Sequence, residues 1–364
     1  MKFYIQDLHQ LSSDMLQGDI LGHHVYLRFE HCRISVHCSH KELTDNLIHY
    51  FSPFLADASQ EPDITIQAIT CEPPEFDSTL QVKTPDPGKT KIKEEWLDLA
   101  PHGRLVRKRL TGMAFVFGGD VNLAAGPCLA NTNQVINFIN SRFIAWKLNQ
   151  GCLLGHAAGV VYKGKGMAMA GFSGMGKSTL ALHLMSRGAT FISNDRLMVD
   201  PKEEIPSMYG VAKLPRINPG TALNNPDLAP VLSSEDKARF KNMPVDELWE
   251  VEHKYDVFID ECFGKNMFVL NAPMHFLILL NWRRGTGPMV TRSVDPVMRQ
   301  ELIPAFMKST GLFYIPGAGM VKDQPMEKYI ETLSRCRVIE FTNGLDFAEA
   351  ADVCMSLFYP DRHI

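Results

Sequence analysis

Hydrophobic and polar positions alternate with period two at residues 24–29 and 33–38, which predicts a hairpin, and residues 41–54 then take up helical spacing. Residues 64–69 read as a further strand. Residues 71–96 are rich in proline, aspartate and lysine without periodicity and read as a long loop. Residues 105–110 and 113–118 alternate around Thr111-Gly112, predicting a second hairpin, and Val135, Ile136, Phe138, Ile139, Phe143, Ile144 and Leu148 mark a helix over 131–148. These elements make a smaller α+β domain over residues 1–150, for substrate recognition or assembly. The boundary falls near residues 149–152, where Gly151 is a helix stop.

Beyond that point the pattern changes to short apolar runs, 153–162 and 167–170, separated by the turn-rich Lys163-Gly164-Lys165-Gly166. A helix is expected over 177–187, ended by Gly188. A β-branched and aromatic run at 190–192 then reaches Asn194-Asp195 at the strand's carboxyl end, the place where open α/β sheets bind ligands. Further strands are expected at 267–270, 275–282 and 338–342, and a last helix at 347–357. Residues 151–364 therefore read as an α/β domain.

Composition narrows the function. The 364 residues are 45% hydrophobic and 21% charged, enough for two cored domains, and the formal net charge of -4 offers no basic field for nucleic acid. No run of eighteen apolar residues occurs, and residues 1–11 lack a hydrophobic signal core, so neither a membrane span nor a signal peptide is expected. Eight cysteines are scattered without a CxxC pair, which fits reduced thiols in a cytoplasm. His31, Cys32, His37, Cys38 and His40 cluster in sequence, but strand alternation puts Cys32 and Cys38 on one face and His31 and His37 on the other, against a zinc site.

The chemistry concentrates at Gly171-Phe172-Ser173-Gly174-Met175-Gly176-Lys177-Ser178, a G-x-x-x-x-G-K-[ST] phosphate loop with an apolar strand before it and a helix after, at whose first turn Thr179 also stands to meet the nucleotide. Chance would produce this pattern in about one chain per hundred of this size, before the flanking elements are required. Glycines let successive N–H groups turn toward phosphate oxygens, the helix N-terminus adds its dipole, Lys177 reaches the β- and γ-phosphates and the Ser178 hydroxyl ligates Mg2+. Nucleotide, ATP with Mg2+, is thus the expected ligand. Asp195 is placed to hold the metal or accept a proton, or else to cap a turn. His156, in Gly155-His156-Ala157-Ala158-Gly159, reads on spacing alone equally as a site or a core histidine. Arg216 and the pair Arg283-Arg284 are candidate cations for the transferring phosphate, or surface residues. No run of four apolar residues ends in an obvious metal-binding aspartate; Asp256 and Asp260 are weaker alternatives.

The stretch from His156 through the phosphate loop, Ala181-Leu182-His183-Leu184-Met185-Ser186-Arg187-Gly188 and Ser193-Asn194-Asp195-Arg196 resembles HPr kinase/phosphorylase, and most nearly its HPr-kinase-related kinases. The resemblance extends loosely over the second domain and not over the first. It implies a phosphate-loop fold similar to phosphoenolpyruvate carboxykinase, ATP-dependent phosphorylation of a serine on a partner protein, His156 in the active site and a homo-oligomer. It also implies two consecutive aspartates after the helix, and here the pair is Asn194-Asp195. An amide is no general base, so the role falls to Asp195 or His156, or transfer is weakened. Two other readings stay open: an ATP-binding switch without transfer, and a kinase of a small hydroxylated metabolite.

Overall fold

The structure, a computed structural model, describes residues 2–359 except 59, 86–89, 173, 252 and 284, with the side chains at 245, 249 and 250 also outside the description. It is a mixed α/β chain with several sheets. The described residues form two compact units, Met1–Asn149 with Thr310–Lys322, and Gln150–Ser309 with Asp323–Ile364. The sequence reading kept residues 310–322 with the second domain. Instead Phe313 stands among Phe115, Phe117 and Phe138 of the first unit, at ring separations of 5.4, 5.6 and 6.2 Å, and this aromatic nest anchors the segment there.

The first unit is built on an eight-stranded sheet in the order His23–Phe29, Cys32–Cys38, Ile64–Thr70, Val121–Gly126, Ala114–Gly118, Gly103–Lys108, Glu94–Leu99, Gln81–Val82. The expected hairpins are present, with Val25 opposite Val36 and Leu105 opposite Val116. Helix Leu8–Leu16, which the sequence reading missed, buries Leu8, Leu11 and Met15 against Ile69, Leu105 and Val116. Residues 71–96 are not one loop. Glu75–Phe76 and Gln81–Val82 are two-residue strands, and Glu94–Leu99 pairs throughout with Gly103–Lys108. Strands this short carry too few positions for a period to register.

In the second unit Lys165–Gly171 runs parallel to Asn271–Trp282, which runs parallel to Arg337–Asn343; on its other side Lys165–Gly171 is antiparallel to Ala157–Tyr162. The phosphate loop therefore leaves the carboxyl end of a central strand flanked on both sides. Apolar residues cover both faces: Ala168, Ala170, Leu277 and Leu279 on one, Met167, Met169, Ile278 and Leu280 on the other. Such two-sided burial is what an unbroken apolar run in the sequence signals. Residues 267–270 are no strand; Phe268 makes only an isolated bridge to Phe191. Helices Lys177–Met185 and Phe347–Leu357 pack on the face that contains Ile278 and Phe341. Among the described residues no helix is long and apolar enough to cross a membrane.

Candidate active site

Gly176 is the N-cap of helix Lys177–Met185 and takes φ +82°, ψ 22°, a left-handed conformation that side chains resist. A Cβ there would also lie 2.4 Å from Cζ of Phe347, so glycine is required twice over. This turn aims the first helical N–H groups out of the sheet's carboxyl end, where four donors lack helical partners and the dipole favours anions. The loop is pinned behind by Trp282, whose Nε1 donates to the Met175 carbonyl at 3.0 Å.

Lys177 is 8% exposed, and its Nζ donates to the Gly171 carbonyl at 2.7 Å and to Phe172 at 3.3 Å. Burial lowers its pKa to about 8, against the opposing pull of Asp195. The Ser178 hydroxyl has no protein partner among the described residues and opens onto a cavity of about 420 Å³. His156 and Asp195 line the same cavity. Nε2–H of His156 donates to Oδ1 of Asp195 at 3.0 Å, and Nε of Arg196 donates to Oδ2 at 3.1 Å. Burial works to raise the Asp195 pKa, but the His156 hydrogen bond and the Arg196 charge outweigh it and hold the carboxyl well below the usual carboxylate range. The side chain stays 44% exposed, so solvent tempers these interactions.

Cations dominate the walls: Lys177, Arg196, Lys213, Arg216 and Lys254 stand there with Asp195 as the one carboxylate in the lining. Arg216 is held by Asp256, Nε to Oδ1 at 3.3 Å, across the short antiparallel pairing of Arg216–Ile217 with Tyr255–Asp256. Lys213 is pushed toward its neutral form by burial, with Asp195 resisting. This charge imbalance in a cleft concentrates anions. Two buried amide oxygens, Oδ1 of Asn194 and Oδ1 of Asn218, have no hydrogen-bond partner among the described residues, and both residues line the cavity. A buried acceptor without a protein partner is costly unless a water or an ion reaches it.

Among solved structures, the chain is similar to the Hpr(Ser) kinase/phosphatase from Coxiella burnetii, at 12% identity and a TM-score of 0.29 over 56% of this chain and 93% of that one. No family model and no curated protein matches the chain.

The residues anticipated from sequence divide accordingly. Gly174, Gly176, Lys177, Ser178, Thr179, His156, Asp195 and Arg216 line one cavity. Gly171, Phe172 and Met175 shape the loop without lining it: Gly171 closes the strand, Phe172 is 55% exposed, and Met175 packs against the core. Ser173 and Arg284 lie outside the described residues. Arg283 is exposed beyond strand Asn271–Trp282 and is not in the lining; besides Lys177, the cations there are Arg196, Lys213 and Lys254 together with Arg216. Asp256 pairs with Arg216 and is outside the lining, and Asp260 sits exposed in helix Ile259–Phe263. Arg196 closes the Ser193-Asn194-Asp195-Arg196 motif and Lys213 stands three positions before Arg216; only the fold shows that both line the cavity. For Mg2+ the oxygen donors in the lining are Ser178 Oγ and the Asp195 carboxylate, a hard set with few carboxylates, as this ion takes when phosphates complete its shell. Among the described residues no three His, Cys, Asp or Glu side chains group as a metal site.

Proposed function

We propose that the second unit is an ATP- and Mg2+-dependent phosphotransferase whose acceptor is a hydroxyl group, a serine of a partner protein. The observation that carries the reading is the convergence of Lys177, Ser178, Asp195 and His156 on one cation-walled cavity at the carboxyl end of a parallel strand. The protein acceptor rests on the sequence resemblance over residues 156–196.

In this reading the loop N–H groups and Lys177 hold the β- and γ-phosphates, and Arg196, Lys213 and Arg216 balance charge as the phosphoryl group moves. Mg2+, when bound through Ser178 and the Asn194-Asp195 end of the strand, neutralises phosphate charge and orients the terminal group. Asp195 is a weak base, because His156 and Arg196 hold its carboxyl ionised far below neutral pH. Its part is to orient the acceptor hydroxyl and the metal waters, not to strip a proton early. That suffices for a loose phosphoryl-transfer transition state, in which positioning and electrostatics carry most of the rate.

The test is transfer from γ-labelled ATP with Mg2+ into proteins of a bacterial lysate, comparing wild type with Lys177→Ala and Asp195→Asn. A labelled band that requires both side chains supports the reading and identifies the acceptor. Tight ATP binding that Lys177→Ala abolishes, without transfer to any protein or small hydroxyl compound, replaces it with a nucleotide switch.

A further inference from the structure

A second cavity, of about 750 Å³, lies wholly within the first unit. Arg142, Ala145, Trp146 and Asn149 recur at spacings of three and four residues, so helix Thr132–Leu148 and its C-cap present one stripe to it. Its size falls in the usual range for small-molecule sites.

Arg142 is 7% exposed. Its guanidinium lies over the Phe117 ring at 4.1 Å and near Phe138 at 5.2 Å, Nη2 donates to the Phe313 carbonyl, and the buried Nε has no partner among the described residues. Among the described residues no carboxylate is ion-paired with it. Of the two carboxylates in the lining, Asp63 is already taken by Arg33, accepting from its backbone N–H at 2.8 Å and its Nε at 3.4 Å, and Asp120 is exposed. Ring faces offset part of a buried cation's desolvation, but a guanidinium without a counter-charge remains costly. Burial accordingly lowers the Arg142 pKa to about 9.

Asn149 adds a second donor. Its Oδ1 accepts from the Tyr314 hydroxyl at 3.0 Å and from the Gly317 N–H at 3.1 Å, and the backbone donor settles which end of the amide is which. Its Nδ2 has no protein partner among the described residues.

We propose that this cavity binds a small organic anion, with a carboxylate or phosphate group held by the Arg142 guanidinium and the Asn149 amide and its body beside Trp146. A guanidinium donates charge-assisted hydrogen bonds to either head group. The proposal is independent of the phosphate-loop chemistry.

The full-length chain in a Lys177→Ala background, which silences the phosphate loop, is titrated with benzoate, citrate and inorganic phosphate up to about 10 mM, following tryptophan fluorescence and thermal melting. Saturable binding of at least one anion is expected, weakened tenfold or more by Arg142→Met and by Asn149→Asp. The Asp variant keeps both acceptor bonds to Tyr314 and Gly317, so it decides the matter even where Arg142→Met does not fold. A response to benzoate or citrate assigns a carboxylate ligand, and a response to phosphate alone a phosphorylated one. Indifference of the parent to all three anions, or a response that both variants retain, overturns the proposal and leaves Arg142 as an anchor for Phe313.

Discussion

Nε2 of His156 stands 3.0 Å from Oδ1 of Asp195 although 38 positions of chain run between them, two strands, the phosphate loop, a helix and a third strand. Their bond forms because Ala157–Tyr162 and Thr190–Ser193 are antiparallel neighbours, which brings the start of one beside the end of the other. Asp195→Asn should leave ATP binding nearly intact while lowering transfer on the order of 10²- to 10³-fold, and His156→Gln should cost less because its amide still donates. Loss of ATP affinity in proportion to the rate would place these residues in nucleotide binding instead.

The same carboxyl has a stability signature. Its pKa is depressed on folding, so it stabilises the fold above the unfolded value of about 3.9 and loses that contribution as pH falls further. Melting temperature against pH should drop more steeply below about pH 4 in wild type than in Asp195→Asn. Parallel curves would show that the His156 and Arg196 contacts are too solvated to matter.

Lys177 titrates in the other direction. With its pKa lowered from 10.5 to about 8, the folded chain binds fewer protons than the unfolded one between those values, so the cost of burying the ammonium is full below pH 8 and is relieved as pH rises. Phosphate beside the ammonium restores its proton. ATP binding near about pH 8.5 should therefore take up protons, seen by calorimetry in buffers of different ionisation enthalpy, and affinity should fall above that pH. Lys177→Arg should abolish the uptake, and Lys177→Ala should weaken binding at least about tenfold. Buffer-independent heats in the wild type would exclude this linkage.

Gly174 and Gly176 share a left-handed φ, +83° and +82°, but only Gly176 faces an obstacle, the Phe347 ring, whereas nothing lies within 4 Å of a Cβ at Gly174. Gly174→Ala should cost about 1 kcal/mol, from backbone strain alone, and Gly176→Ala distinctly more, on the order of 2–3 kcal/mol, by urea unfolding. Equal costs would mean that the ring gives way freely.

Asn194 carries a buried amide oxygen without a partner among the described residues. Asn194→Asp places a second carboxylate next to Asp195, and without metal it should destabilise by about 1–3 kcal/mol. Mg2+ with ATP should then raise the melting temperature more in the variant than in wild type. An equal rise in both would remove position 194 from the metal's surroundings.

From sequence alone, local periodicity determined most of the elements: the helix at 347–357 matches its observed bounds, and both early hairpins and the phosphate-loop strand and helix stand where pattern and glycine spacing put them. Those features depend on neighbours a few positions apart, which a chain displays directly. Likewise Lys177 and Ser178 follow from the loop's own requirement for glycine and a helix start. What only the tertiary structure decided is which distant side chains meet. Lys213 and Lys254 join the cavity wall and Arg283 does not; Asp256 is committed to Arg216; and residues 310–322 leave the second unit for an aromatic nest in the first. Arg142 shows the reason most plainly. In the sequence it is one polar position in an otherwise ordinary helix, and its burial, its missing counter-charge and the cavity beside it arise from strands, rings and a returning segment that no local pattern connects.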